Sequence, residues 1–309
     1  MTFPLVGQLA LARSATDRAA EHRQDDAWLA RAWADPRTKV LRIADGKTLV
    51  GGGAIAYVSP GDAREGERYL LGVDPDGTAF FAVLEAEPLV AAEGATVQPM
   101  GLREVGSLLD DRDAGLLVLS VALANWHRTH THCPLCGTPT VVGSAGFTRT
   151  CPADGSEHYP RTDPAMIVLV TDTTGERALL GSSGRMGPDR YSTLAGFVEP
   201  GESAEAAVIR EVMEEARVLV EDVTYLGSQP WPFPSSLMLG FRARAVEADV
   251  VPQGDGTEIL HARWFSRDEL TTGLADGSLR IPPPLSIARR LIEHWYGGPL
   301  VVPGELSWS

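Results

Sequence analysis

Three cysteines in 309 residues, at positions 133, 136 and 151, are too few for a disulfide framework and fit a reducing compartment. Lysine occurs only at 39 and 47, and 41 acidic side chains outnumber 27 basic ones, for a formal charge of −14. That balance argues against extended nonspecific binding of nucleic acid, which needs basic surface to displace counterions. It leaves open a small phosphate-bearing ligand, drawn in by metal ions and by local arginines such as Arg161, Arg185 and Arg190. No apolar run approaches membrane-spanning length, so no membrane partner is expected. The first apolar stretch is broken by Pro4, Gly7 and Gln8 and lacks a basic lead; no signal peptide and a cytoplasmic location are expected.

What is present is concentrated in one run, Gly196-Phe-Val-Glu-Pro-Gly-Glu202, followed by Arg210-Glu211-Val212-Met213-Glu214-Glu215. Glu211, Glu214 and Glu215 fall at i, i+3 and i+4, so a helix over 203–216 gathers them on one face. Carboxylates so close repel one another unless a cation sits among them, and hard oxygen ligands suit Mg²⁺ or Mn²⁺. Ala206, Ala207, Ile209, Val212 and Met213 are read as the opposite face, packed on a sheet. Gly196 and Gly201 bracket Pro200 in a tight loop, and Ser203 and Ala204 mark the helix start. An isolated Glu-x-x-Glu-Glu is usually a solvated surface face; the longer spacing Gly-x5-Glu-x7-Arg-Glu-x-x-Glu-Glu is what sets this one apart.

That spacing resembles the Nudix box, with every family position met except one, where Arg217 stands in place of the box's final glycine. The resemblance implies that Glu211, Glu214 and Glu215 are metal ligands, that Glu215 is the base activating water, and that Arg210 and Glu202 pair to brace loop against helix. A left-handed cap costs a non-glycine residue roughly 1–2 kcal/mol, so a different helix exit is expected at Arg217.

A second motif narrows the substrate. In Ser228-Gln229-Pro230-Trp231-Pro232-Phe233-Pro234-Ser235-Ser236 three prolines alternate with two aromatics, which predicts an extended backbone displaying rigid rings for stacking. Alone, such a run is more often an edge strand or loop anchor. Downstream of the box it resembles the signature of the NADH pyrophosphatase family of Nudix hydrolases, whose members bind a dinucleotide as homodimers. The resemblance implies substrate contacts from Gln229, Pro230, Trp231, Pro232, Phe233, Pro234, Ser235 and Ser236, with Tyr159 and Ala288 nearby. It also implies metal ligation by the Ala195 carbonyl and by Glu258, whose other reading is a surface loop residue. His158 to Pro164 leads into a buried strand over Ala165 to Val170, and Pro282 to Ile292 resembles the family's closing helix.

Cys133-Pro-Leu-Cys136 and Cys151-Pro-Ala-Asp154, fourteen residues apart, have the layout of a zinc ribbon with its fourth cysteine replaced by aspartate. Structural zinc favours sulfur and nitrogen, so His158, His130 and His132 compete with Asp154 as the fourth ligand, and a ribbon that has lost its metal is the other reading.

The expected fold class is α/β (α+β), a Nudix α/β/α sandwich with a diverged Nudix-like N-terminal domain and a small zinc-ribbon-like insert. Expected boundaries are 1–125 for the N-terminal domain, 126–160 for the knuckle, 161–296 for the catalytic domain and 297–309 for a tail. In the first third, strands are expected at Thr38–Ile43, Gly52–Val58, Tyr69–Val73 and Thr78–Leu84, and a helix from Asp111 to Arg128. The expected activity is metal-dependent hydrolysis of the NADH or NAD⁺ pyrophosphate to nicotinamide mononucleotide and AMP. Removal of an NAD cap from RNA uses the same bond. A non-catalytic dinucleotide sensor and a zinc-ribbon nucleic-acid binder are the readings from other classes.

Overall fold

The structure, a computed structural model, describes residue 5 and residues 9–92, 94–183, 187 and 189–304. Arg185 and the reading of the chain start at Pro4, Gly7 and Gln8 lie outside them. The chain divides into two compact units, one of residues 13–162 with 231–235 and the other of 1–12, 163–230 and 236–309.

The first of these contains α1 (Asp26–Ala34), β1 (Lys39–Ile43), β2 (Lys47–Gly51), β3 (Ala54–Ile55), β4 (Glu67–Val73), β5 (Ala79–Leu84), β6 (Gln98–Gly101), α2 (Leu102–Val105), α3 (Asp111–Thr129), β7 (Val141–Gly143), β8 (Thr148–Thr150) and β9 (Glu157–His158). They form three-stranded sheets in the orders β1-β5-β4, β3-β2-β6 and β7-β8-β9. The strand expected at Gly52–Val58 shrinks to Ala54–Ile55, because Gly52 (φ 60°) and Gly53 (φ 79°) make the turn between β2 and its antiparallel neighbour β3. The long helix forms as expected. Asp110 caps it by accepting from the Asp113 N–H, and buried Asp113 in turn accepts from the Ile55 N–H and the Tyr57 hydroxyl.

The second unit holds β10 (Asp163–Thr171), β11 (Arg177–Ser182), β12 (Leu194–Phe197), α4 (Ala204–Ala216), β13 (Val220–Trp231, its last residue in the other unit), β14 (Ser236–Ala245), β15 (His261–Ser266), α5 (Arg267–Asp276) and α6 (Ile287–Tyr296). One sheet runs β13-β14-β10-β11-β15, with β12 also paired to β10. β10 is apolar almost throughout because both its faces are covered. Met166, Val168 and Val170 pack with Ala207, Val208, Val212 and Ala216 of α4, while Ile167 and Leu169 pack with Leu291, Ile292 and Trp295 of α6. The result is an α/β/α sandwich, with α4 on one face of the sheet and α6 on the other.

Candidate active site

Helix α4 starts where its sequence provides a cap: the Ser203 hydroxyl accepts from the Ala206 N–H at 3.1 Å. Its packed face is Ala207, Val208, Val212 and Ala216. Ala206 and Ile209 from the expected face are instead exposed, and Met213 is half-buried. At about 100° per residue, positions 208, 211, 212 and 215 fall on one side of the helix and 206 on the opposite side. Arg217, expected to alter the helix exit, adopts the left-handed cap itself, with φ 58° and ψ 33°.

Burial separates the three glutamates. Glu215 is buried at 5% exposure, and the Glu211 side chain is largely covered, whereas Glu214 is exposed. One carboxylate oxygen of Glu215, Oε2, is buried without a hydrogen-bond partner. Burial first, then the Glu211 and Glu258 carboxylates, push Glu215 up to about 8, and the Ala195 backbone opposes this by hydrogen bonding. Burial likewise raises Glu211, against the pull of Arg210. Ala195 and Gly196 lie on β12, paired with Ile167 and Met166 of β10. A Cβ at Gly196 would lie 2.0 Å from the Glu211 carboxylate, so only glycine leaves space for that side chain.

Glu258 joins this field from a separate loop, which the sequence suggested without its support. Asp255 organises that loop by accepting from the N–H groups of Thr257, Glu258 and Ile259 at 3.0, 3.0 and 2.8 Å. The Asp-Gly-Thr-Glu run was a legible turn signal, and Asp255 was missed. These N–H groups and the Thr257 hydroxyl hold Asp255 down at about 2, the hydroxyl contributing most.

Arg210 is the hub of the loop. Its Nε and Nη2 donate to the two Glu202 oxygens, both at 2.9 Å, and Nη2 also donates to the Phe197 carbonyl at 3.0 Å. Nη1 reaches Glu211 at 2.9 Å and Glu214 at 3.1 Å. The fork thus ties the box loop to the helix and orients two of its carboxylates.

The Pro-aromatic run is not extended throughout. β13 continues through Trp231, the chain turns over Pro232–Ser235 with a cis Phe233–Pro234 bond, and β14 begins at Ser236. Neighbouring strands joined over four residues require a turn where the proline count alone predicted a straight segment. Gln229 is fully buried; its amide donates to the Leu285 carbonyl at 3.0 Å and accepts from the Leu11 N–H at 3.4 Å, so its role in this structure is internal and not a free contact. Pro230, Ser235 and Ser236 are partly accessible, Pro232 is buried and Pro234 exposed. Trp231 and Phe233 meet edge to face with centroids 5.0 Å apart, and the Arg103 guanidinium lies 5.0 and 3.8 Å from their centroids. The Asn125 amide donates to the carbonyls of Pro232 and Pro234 at 2.9 and 3.4 Å. Arg103 and Asn125 were missed because nothing local in the sequence ties them to a turn more than a hundred residues on. Tyr159 is exposed and donates to Glu157, and Ala288 is buried in the first turn of α6.

In the ribbon, one ligand atom each of Cys133, Cys136, Cys151 and Asp154 lie within 4.8 Å of one another. Among the described residues no other three His, Cys, Asp or Glu side chains converge so closely, the box glutamates included. His130 instead contacts Thr129 and the Trp126 carbonyl, and His158 contacts Ser156.

The NUDIX domain family pattern matches residues 161–283, and that of the NADH pyrophosphatase zinc ribbon domain matches 128–159. A NAD-capped RNA hydrolase NudC of Mycobacterium bovis is 39% identical over 300 residues, covering 92% of this chain and 94% of its own. The chain belongs to the NADH pyrophosphatase, or NudC-type, family of Nudix hydrolases. A further NudC-type relative, the NAD-capped RNA hydrolase NudC of Deinococcus radiodurans, is 43% identical over 210 residues, covering 67% of this chain and 71% of its own. The NAD-capped RNA hydrolase NUDT12 of Macaca fascicularis is 40% identical over 198 residues, 60% of this chain and 42% of that one. As a NudC-type Nudix hydrolase the protein is an enzyme. Its donor set fits divalent cations: the unpartnered Glu215 Oε2, the cradle at Gly196 and the mutual repulsion of Glu211, Glu215 and Glu258 are relieved by positive charge. Among the described residues no helix is long and apolar enough to cross a membrane.

Proposed function

We propose that this enzyme hydrolyses the pyrophosphate bond of NADH or NAD⁺ to nicotinamide mononucleotide and AMP. The observation that carries the proposal is Glu215, a buried carboxylate with a raised pKa and one unpartnered oxygen, set among Glu211, Glu258 and the Ala195 backbone. A carboxylate so placed, with a free oxygen in a water-poor setting, is positioned to take a proton from an attacking water once cations offset the surrounding negative charge. Mg²⁺ or Mn²⁺ held by Glu211, Glu214, Glu215, Glu258 and the Ala195 carbonyl would supply charge neutralisation at the pyrophosphate and Lewis-acid activation of the attacking water. Arg210 holds Glu211 and Glu214 in place through the Glu202 brace. Trp231 and Phe233 offer flat apolar surface to a base, with Tyr159 and Ala288 assigned to the same substrate by resemblance. In this reading the ribbon holds one structural zinc, and the working form is a cytoplasmic homodimer.

The names of the relatives favour a second substrate, the NAD cap of RNA, cleaved by the same carboxylates. A sensor role is disfavoured by the complete glutamate set. Chromatography of products from NADH and from NAD-capped RNA, with Glu215→Gln in parallel, tests the assignment. AMP and reduced nicotinamide mononucleotide from wild type alone support dinucleotide hydrolysis. Cleavage of capped RNA alone transfers the function to the cap, and binding without cleavage of either supports the sensor.

A further inference from the structure

The two arms of the ribbon are copies of one backbone design. Cys133-Pro-Leu-Cys136-Gly137 and Cys151-Pro-Ala-Asp154-Gly155 share a sequence pattern, and their hydrogen bonds repeat. In each arm the glycine N–H donates to the carbonyl of the first cysteine at 2.9 Å, with φ of 75° at Gly137 and 74° at Gly155. In each, the first cysteine N–H donates to the carbonyl five residues on, Thr138 at 2.8 Å and Ser156 at 2.9 Å. Asp154 therefore occupies in the second arm the place that Cys136 holds in the first. The residue two positions further is a hydroxyl in both cases: Thr138 lies 3.3 Å from the Cys136 sulfur, and Ser156 lies against Asp154.

The contacts of Asp154 are one-sided. Oδ1 accepts from the Ser156 N–H at 2.9 Å and from the Ser156 hydroxyl at 2.6 Å. Oδ2 faces the thiols, 3.6 Å from the Cys133 sulfur. The single Ser156 hydroxyl proton is committed to Asp154, so the 3.2 Å contact to His158 Nε2 is satisfied when His158 donates. Ser156 Oγ also lies 3.5 Å from the Cys133 sulfur. A carboxylate can bind a metal through one oxygen or two; occupying Oδ1 leaves a single oxygen for a tetrahedral fourth position.

We propose that Ser156, backed by His158, is a positioning residue that makes Asp154 a one-oxygen fourth ligand in a three-sulfur, one-oxygen site, with His158 outside the ligand set. The proposal rests on the reading that the ribbon binds zinc. Its chemical consequence is a site with one harder, weaker donor than an all-cysteine ribbon, whose metal exchanges more readily.

The test uses full-length protein, with zinc content by elemental analysis, zinc release to a chelator, and the visible spectrum after replacement by Co²⁺. Ser156→Ala should weaken metal binding on the order of 10–100-fold and alter the cobalt ligand-field bands, and Ser156→Thr should restore both. Asp154→Cys should raise thiolate-to-cobalt charge transfer by about a third, as a fourth sulfur joins three, and slow zinc release. His158→Ala should lower affinity less than Ser156→Ala and leave the charge-transfer intensity unchanged. Wild-type affinity and spectrum in Ser156→Ala would overturn the proposal while leaving zinc binding intact. Loss of the cobalt bands in His158→Ala with their retention in Asp154→Asn would make His158 the ligand, and overturn it too. Failure of the wild-type protein to take up Zn²⁺ or Co²⁺ would overturn the zinc reading itself.

Discussion

The carboxylate of Glu211 lies against the backbone of Gly196, so close that a Cβ on residue 196 would lie 2.0 Å from it. Gly196→Ala is therefore expected to displace Glu211, a shift of the kind that can cost about 10²-fold in turnover. Titration with Mn²⁺ should show weakened binding in parallel with the loss of activity. Unchanged metal affinity would remove this contact from the function.

Glu215 is held near 8 in the folded chain, against 4.5 for the free carboxyl. Between those values the folded, metal-free protein retains a proton that the unfolded chain has released. The associated stability is complete below about pH 4.5 and is lost as pH rises through about 8. In chelator, the melting temperature should fall over that window, and Glu215→Gln should flatten the fall and melt higher at its alkaline end. The same substitution should lower turnover by on the order of 10²–10⁴-fold. A mutant with near wild-type activity and a normal melting curve would exclude Glu215 as the base.

Lysine at position 210 would keep the charge and lose the fork that spans Glu202, Phe197, Glu211 and Glu214. Arg210→Lys is expected to reduce kcat/KM on the order of 10–100-fold, with a shifted metal dependence. A wild-type metal profile would reduce the brace to a surface ion-pair network.

Arg217 ends α4 in a left-handed conformation that glycine adopts without penalty. Arg217→Gly should raise stability by about 1 kcal/mol, read by denaturant unfolding, with activity unaffected. A destabilised variant would show that the arginine side chain makes a compensating contact.

Arg103 lies over Phe233 at 3.8 Å and steadies the turn that Asn125 anchors. If NADH is the substrate and the aromatic turn holds its base, as proposed, Arg103→Ala should raise KM for NADH severalfold while leaving kcat largely intact, because it acts on the aromatic turn and not on the carboxylates. A fall in kcat at constant KM would contradict that division.

The acidic helix was legible because its determinants are local. Ser203 caps the helix within its own first turn, and the Arg210–Glu202 pair spans eight residues. The spacing alone could not show that Glu215 is buried while Glu214 is exposed, since that depends on how far α4 is rotated against β10. The packing face was misread for the same reason: Ile209 is apolar by type yet 40% exposed by position. The Pro-aromatic run was recognised as a unit but drawn straight, because the pairing of β13 with β14 that bends it is not a local property.

The sequence by itself determined which groups are available: three glutamates at helical spacing, a glycine before them, a rigid aromatic segment, and three cysteines with an aspartate in repeated knuckles. Each follows from covalent order and local backbone preference, which act over a few residues. Only the tertiary structure decided the state of those groups. It buried Glu215, brought Glu258 into its field through the Asp255 loop, set Arg103 and Asn125 on the aromatic turn, and turned one oxygen of Asp154 toward the thiols. Burial, field and orientation are set by neighbours distant in sequence, and the charge state of a carboxylate depends on all three.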